Sequence, residues 1–209
     1  MNELEKRIID ISYHERIGHL SSNLNAVNII DEIYQAKKEK DVFILSSGHA
    51  ALAWYVVLEK YQGRDAQKLF HDMGVHPHRQ PGTDITVSTG SLGMGLTVAV
   101  GYALADPHRD VYCLVSDGEC GEGSIWEALR FIHERKIKNL HVYVNVNGMI
   151  AYDTIDRDYL IDRLKSFLPG INIRETDPPS WPWAQGVLTH YYVLKPQDYE
   201  KLCENYSAN

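Results

Sequence analysis

The sequence is poor in cysteine, in positive charge and in long apolar runs. Cys113, Cys120 and Cys203 are its three cysteines, and their spacing forms neither a disulfide framework nor a metal-binding pair. They are expected to be reduced thiols in a cytoplasmic protein. Acidic residues outnumber basic ones 28 to 21, a net charge of −7, which argues against a nucleic-acid surface. No apolar run reaches the roughly 18 residues that span a bilayer. The opening MNELEKRIID lacks the apolar core of a signal peptide, so no membrane association is expected. No strand is followed by G-x-G-x-x-G, which leaves little support for a nicotinamide enzyme. Internal repeats, low-complexity tracts and interdomain linkers are also missing. Residues 1–209 are therefore expected to form one domain, long enough for a full hydrophobic core.

What is present alternates. Leu4, Ile8, Ile9 and Ile11 share one face of an opening helix, which breaks at Gly18-His19. A second helix is expected from about Asn25 to Lys38, then the short apolar strand VFIL and a third, largely buried helix from about Ala50 to Lys60. Residues 71–88 carry Gly74, Pro77, Pro81 and Gly82 and read as loop. The segment TGSLGMG leads into the apolar helix LTVAVGYALA. Two apolar strands, Val111 to Val115 and Leu140 to Val146, flank a helix from about Glu122. A helix over Arg157 to Phe167, the strand INIRE, a Pro/Trp loop, the segment VLTHYYVL and a terminal helix from about Pro196 complete the chain. Trp181 and Trp183 in that loop are candidate exposed anchors for another subunit. This alternation predicts an α/β fold, a parallel sheet with helices on both faces.

The chemistry concentrates where strands end. Asp117-Gly118 closes one strand, and Asn147-Gly148, thirty residues later, closes the next. A single Asp-Gly is ordinarily a turn. Two such ends on one strand–helix–strand unit place hard oxygen ligands where open α/β sheets bind their ligands. Beside a helix N-terminus, they suit a divalent metal holding a phosphate, with the Met149 carbonyl as a third ligand. His19, His49 and His76 each lie in a Gly-containing loop, IGHLSS, SSGHAA and GVHPHR. Their spacing does not suit zinc; they suit hydrogen bonding to phosphate or to a developing oxyanion. His78 is an alternative to His76. Glu122 and Glu127 open a helix, where acidic residues are favoured in any case.

Together these segments resemble the transketolase family, specifically its N-terminal, diphosphate-binding part. Asp117-Gly118 with Asn147 resembles the family's GDG…N thiamine motif, and EGSIWEAL its EGxxWEA segment. STGSLGMG, SSGHAA and IGHLSSNL resemble TGSLGQG, SxGH and GHLGG segments in family order, over about residues 10 to 155. The resemblance implies the thiamine-diphosphate-binding fold, with thiamine diphosphate and Mg²⁺ (or Ca²⁺ or Mn²⁺) as cofactors. Asp117, Asn147 and Met149 would hold the metal. His49, Gly90, Leu92, Gly118, Glu119 and Asn147 would contact the cofactor. His19, His49, His76 and His190 would serve catalysis, and Glu122 and Glu127 would face a subunit interface. Ser116 replaces the first Gly of GDG, Met94 a common Gln, and Ser21-Ser22 the glycines after the first histidine.

The family's second, pyrimidine-binding domain has no counterpart in these residues. The expectation is a split transketolase. In it this chain works with a separate pyrimidine-binding C-terminal subunit, in an α2β2 heterotetramer, moving a two-carbon ketol unit from a phosphorylated ketose to an aldehyde. A 2-oxo-acid dehydrogenase α-like or deoxyxylulose-phosphate-synthase-like subunit, or a non-catalytic subunit that keeps the fold, are the alternatives.

Overall fold

The computed structural model describes residues 1–150, 153–186 and 188–207. Ala151 and Tyr152, in the loop after Asn147, and Val187, which opens VLTHYYVL, lie outside the described residues. Four parallel strands form one sheet in chain order: β1 (Val42–Leu45), β2 (Val111–Ser116), β3 (Leu140–Val146) and β4 (Asn172–Glu175). Val42 pairs with Val111, Val111 with Leu140, and Tyr143 with Asn172. Parallel neighbours need crossovers, and helices supply them. Between β1 and β2 run α3 (Ala51–Gln62), α4 (Ala66–Met73) and α5 (Met94–Ala105), preceded by α1 (Glu3–His14) and α2 (Leu20–Ala36). Helix α6 (Gly123–Arg135) joins β2 to β3, and α7 (Arg157–Phe167) joins β3 to β4. Short α8 (Leu188–Tyr191) and α9 (Pro196–Ser207) follow.

Successive strand side chains point to opposite faces, and both faces are covered. Phe43, Leu45, Tyr112 and Leu114 pack with α1 to α4 around the buried Trp54 and Tyr55. Val42, Ile44, Val111, Cys113 and Val115 pack with α5, α6 and α7. This is why VFIL is apolar without alternation. The expected helices-on-both-faces architecture is what forms. No helix among the described residues is long and apolar enough to cross a membrane.

Three local expectations change. Helix α2 starts at Leu20, not near Asn25, because His19 takes a left-handed conformation (φ 58°) at its N-cap. The polar run Ser21, Ser22, Asn23 is buried inside the helix, where Asn23 Oδ1 accepts the Ala53 N–H at 2.9 Å. Helix α4 occupies part of the stretch that reads as loop. Asp65 caps it by accepting the Lys68 N–H at 2.9 Å, and Leu69 and Met73 seat it on the core. Trp181 and Trp183 are not exposed anchors. They stack at 6.2 Å and pack against the core of this chain, with Lys201 over Trp183.

The turn after β1 fits only because of a glycine. A Cβ on Gly48 would lie 2.7 Å from the Thr89 carbonyl carbon and 2.8 Å from the Gly90 nitrogen. The 89–90 backbone therefore rests directly on the turn that carries His49. Gly48→Ala is expected to lower unfolding free energy by about 1–3 kcal/mol through overpacking. Urea denaturation would show this as a lower midpoint with an unchanged slope.

Candidate active site

The carboxyl ends of β1, β2 and β3 open into one cavity of about 220 Å³. Asp117, Gly118, Asn147 and Met149 line one part, and His19, His49, His76 and His190 another. Ser22, Ser47, Ser116 and Asn145 add polar groups, Leu92 and Leu114 apolar ones, and Tyr191 also lines it. The strand order shows no reversal, so the site sits along the carboxyl edge and not at a switch in strand order.

Asp117 joins the two strand ends. Its side chain is 1% exposed. One carboxylate oxygen accepts the N–H groups of Asn147 and Gly148, both at 2.7 Å, and the other accepts the Gly118 N–H at 3.0 Å. Burial raises its pKa, and the backbone N–H groups of Gly148, Asn147 and Gly118 oppose that rise. No cationic side chain pairs with it among the described residues. Asn147 Oδ1 accepts the Met149 N–H at 2.8 Å, which folds the loop into a tight Asx turn. Three donors on the carboxylate and one on the amide oxygen leave an acceptor site on each. The resulting set of a carboxylate, an amide oxygen and the Met149 carbonyl is made of hard oxygens. With a buried charge lacking a counter-ion, it fits a hard divalent cation. Packing within the chain does not require glycine at position 118, since a Cβ there would meet nothing closer than 3.8 Å. The absence of a side chain at Gly118 matters only toward the cavity.

Glu119, expected at the cofactor, is placed elsewhere. It is fully buried and does not line the cavity. It accepts the Ser46 hydroxyl at 2.6 Å and the Gly93 and Ser116 N–H groups at 3.0 Å each. Two residues after Asp117 in a tight 3-10 turn, Asp117–Gly121, it projects toward α5 and β1 instead. It thus ties together the three loops that frame the site. Gly90 also lies outside the lining residues, beneath His76, where a Cβ would come within 3.1 Å of the imidazole. Glu122 and Glu127 are exposed at the start of α6.

The four histidines come from four separate segments and meet. The ring centroids of His19 and His49 are 5.2 Å apart, those of His19 and His190 5.6 Å, and those of His49 and His190 6.0 Å. The His19 N–H donates to the His190 carbonyl at 2.7 Å, which fixes α8 against the start of α2. Burial lowers the His19 pKa, helped by His76, and lowers that of His190, helped by His19. His49 is pushed down to about 3, first by burial and then by His19, His190 and His76. These three imidazoles are neutral at pH 7, each with one donor and one acceptor nitrogen. Nδ1 of His19 is buried with no partner. His78 is exposed and outside the cavity, so His76 is the histidine of that loop that reaches it.

Sequence reasoning does not find Ser22, whose hydroxyl lies 3.3 Å from His190 Nε2. Its one local signal is that it stands where a glycine is usual. Ser47, Asn145 and Tyr191 have no local signal.

Residues 1–162 match the family described as 1-deoxy-D-xylulose-5-phosphate synthase. The chain belongs to the transketolase and 1-deoxy-D-xylulose-5-phosphate synthase family, whose members are thiamine-diphosphate enzymes. It is 33% identical over 181 residues to an apulose-4-phosphate transketolase subunit of Phocaeicola vulgatus, covering 77% of this chain and 64% of that one. The protein of the same name from Actinobacillus succinogenes is 33% identical over 168 residues, covering 68% of this chain and 59% of that one. Human transketolase is 37% identical over 134 residues, which is 58% of this chain but 21% of the enzyme. The chain thus spans less than two thirds of these relatives. In fold it is similar to transketolase from Leishmania mexicana (TM-score 0.72, 18% identity, 98% of this chain and 40% of that one). A mutant transketolase from Pichia stipitis gives a TM-score of 0.74 at 19% identity, over 99% of this chain and 41% of that one. The fold is that of the diphosphate-binding domain, and the family is one of transferases.

Because His49 binds its proton far less readily when folded, its contribution to stability is present above about pH 6.5. It is lost as pH falls toward its folded value of about 3. His49→Gln is therefore expected to gain about 1 kcal/mol relative to wild type between pH 7.5 and 5.5. Parallel urea denaturation curves at the two pH values would show it.

Proposed function

We propose that this chain is the diphosphate-anchoring subunit of a transketolase-type enzyme that moves a two-carbon ketol unit from a phosphorylated ketose to an aldehyde. The observation that carries the reading is one cavity holding both a buried carboxylate without a counter-ion and four converging histidines. Asp117, Asn147 Oδ1 and the Met149 carbonyl hold Mg²⁺, or Ca²⁺ or Mn²⁺ in its place. Gly118 lets the backbone approach the diphosphate, and His49 and Leu92 line the cofactor. Thiamine diphosphate, when bound, supplies the carbanion chemistry. The chain's own part is to orient substrate and to hold protons. His19, His76 and His190 hydrogen-bond the hydroxyl and carbonyl oxygens of the sugar, and imidazole nitrogens in that position can pass protons to and from those oxygens.

A second chain completes the site in this reading. A cavity of about 220 Å³ is smaller than the roughly 300–1,000 Å³ that encloses a whole small-molecule ligand. Relatives that are themselves named as transketolase subunits support a partner, here a pyrimidine-binding C-terminal subunit in an α2β2 heterotetramer. Glu122 at the N-cap of α6 and Glu127 on it, both exposed, face that assembly's interface. Three cysteines with no disulfide among them suit the cytoplasm. The matched family's description favours a second reading, a deoxyxylulose-phosphate-synthase-like subunit that takes pyruvate as donor.

Asp117→Ala is expected to abolish metal-dependent thiamine diphosphate binding by the assembled complex in titration calorimetry; an unchanged affinity overturns the anchor. With the partner present, ketose and pyruvate donors separate the two readings. Aldose release from a ketose supports the first, and CO₂ release from pyruvate without ketose turnover replaces it with the second. Full-rate ketose cleavage by this chain alone overturns the shared site.

A further inference from the structure

Arg157 is the first residue of α7, a position where its charge opposes the helix dipole. Helix stability therefore does not account for it. Its stem crosses the tip of the β3 loop. A Cβ on Gly148, which has φ +81°, would be strained and would lie 2.7 Å from Arg157 Nε, so a larger residue there would displace the guanidinium. Nη2 donates to the Asn147 carbonyl at 2.5 Å, and Nη1 pairs with Asp177 at 3.0 Å. The two contacts differ in kind. Asp177 is 89% exposed, where an ion pair adds little. The carbonyl contact is part-buried and falls on the loop of the metal-site candidates.

We propose that Arg157 is a positioning residue for the Asp117 anchor, acting through the peptide bond between Asn147 and Gly148. The carbonyl that receives the guanidinium belongs to the same peptide unit as the Gly148 N–H. That N–H donates to the Asp117 carboxylate at 2.7 Å. A cation on the oxygen of an amide draws electron density from its nitrogen and makes its N–H a stronger donor. Arg157 thus reaches a buried carboxylate that has no direct ion pair and does so without occupying that carboxylate, which lines the cavity. The arrangement holds the loop in position and also spreads the charge. The Asn147 amide oxygen and the Met149 carbonyl, both on this turn, keep their direction only while the Asn147–Gly148 peptide stays in place.

The binding arm of the test rests on the thiamine diphosphate reading; the spectroscopic arm does not. In ¹H–¹⁵N spectra of the full chain, the Gly148 amide proton is expected far downfield. It should move upfield in Arg157→Gln and lie between the two in Arg157→Lys, which keeps the charge but loses the fork. Asp177→Ala is the control, with Gly148 unmoved. A Gly148 resonance in the same place in wild type and in either folded Arg157 variant overturns the proposal. Should Arg157→Gln fail to fold, Arg157→Lys and the wild-type position of Gly148 still decide it. Calorimetry with thiamine diphosphate and Mn²⁺, with partner chain present, is expected to show about 10- to 100-fold weaker binding for Arg157→Gln. Asp177→Ala should stay within about twofold of wild type. If the wild type binds no thiamine diphosphate, the functional reading falls and the amide measurement still judges Arg157.

Discussion

The site depends on one carboxylate bridging two strand ends. Asp117 follows β2, and its oxygens gather the backbone N–H groups at the end of β3. Beyond the last ladder bond of two parallel strands, the final backbone N–H groups still need acceptors. A buried carboxylate supplies them, and the desolvation cost of its charge is offset by three backbone donors, two of them at 2.7 Å. The residual deficit of positive charge faces the cavity. The same group thus has a structural task and the hard-oxygen chemistry that suits a cation.

A second carboxylate organises the rest. Glu119 binds the ends of β1 and β2 to the start of α5. Asp117 and Glu119, two residues apart, divide the work: one faces the cavity, the other locks the loops that carry His49, Leu92 and Ser116. Against this frame His19, His49 and His190 are held neutral by burial and by one another. A cavity built this way offers directed hydrogen bonds without fixed positive charge. That suits hydroxyl and carbonyl oxygens.

Much of the fold is legible locally. Apolar runs bounded by Asp-Gly and Asn-Gly mark β2 and β3, because parallel strands buried on both faces have no polar side. The pairing of Asp117 with Asn147 is legible too, because two strands joined by one helix are most often neighbours, as β2 and β3 are. Helix α4 and the start of α2 are not. Their signals are a single Asp65 cap and a polar run, Ser21 to Asn23, that packs only because α3 presents a buried N–H to Asn23. The motif surrounding Glu119 is visible, but its direction is not, since a tight turn decides which of two nearby carboxylates lines the cavity.

Local sequence specifies the parallel α/β architecture, the oxygen-bearing side chains at two strand ends and the set of loop histidines, since periodicity and strand–turn chemistry are local properties. Tertiary structure alone decided that His190 meets His19, that Ser22 meets His190 and that Arg157 rests on the Asn147 carbonyl. Those partners are 168 residues apart in one case and 10 in another. Neither separation carries a repeat or a spacing rule, so only the packing of the chain brings such groups within hydrogen-bond range.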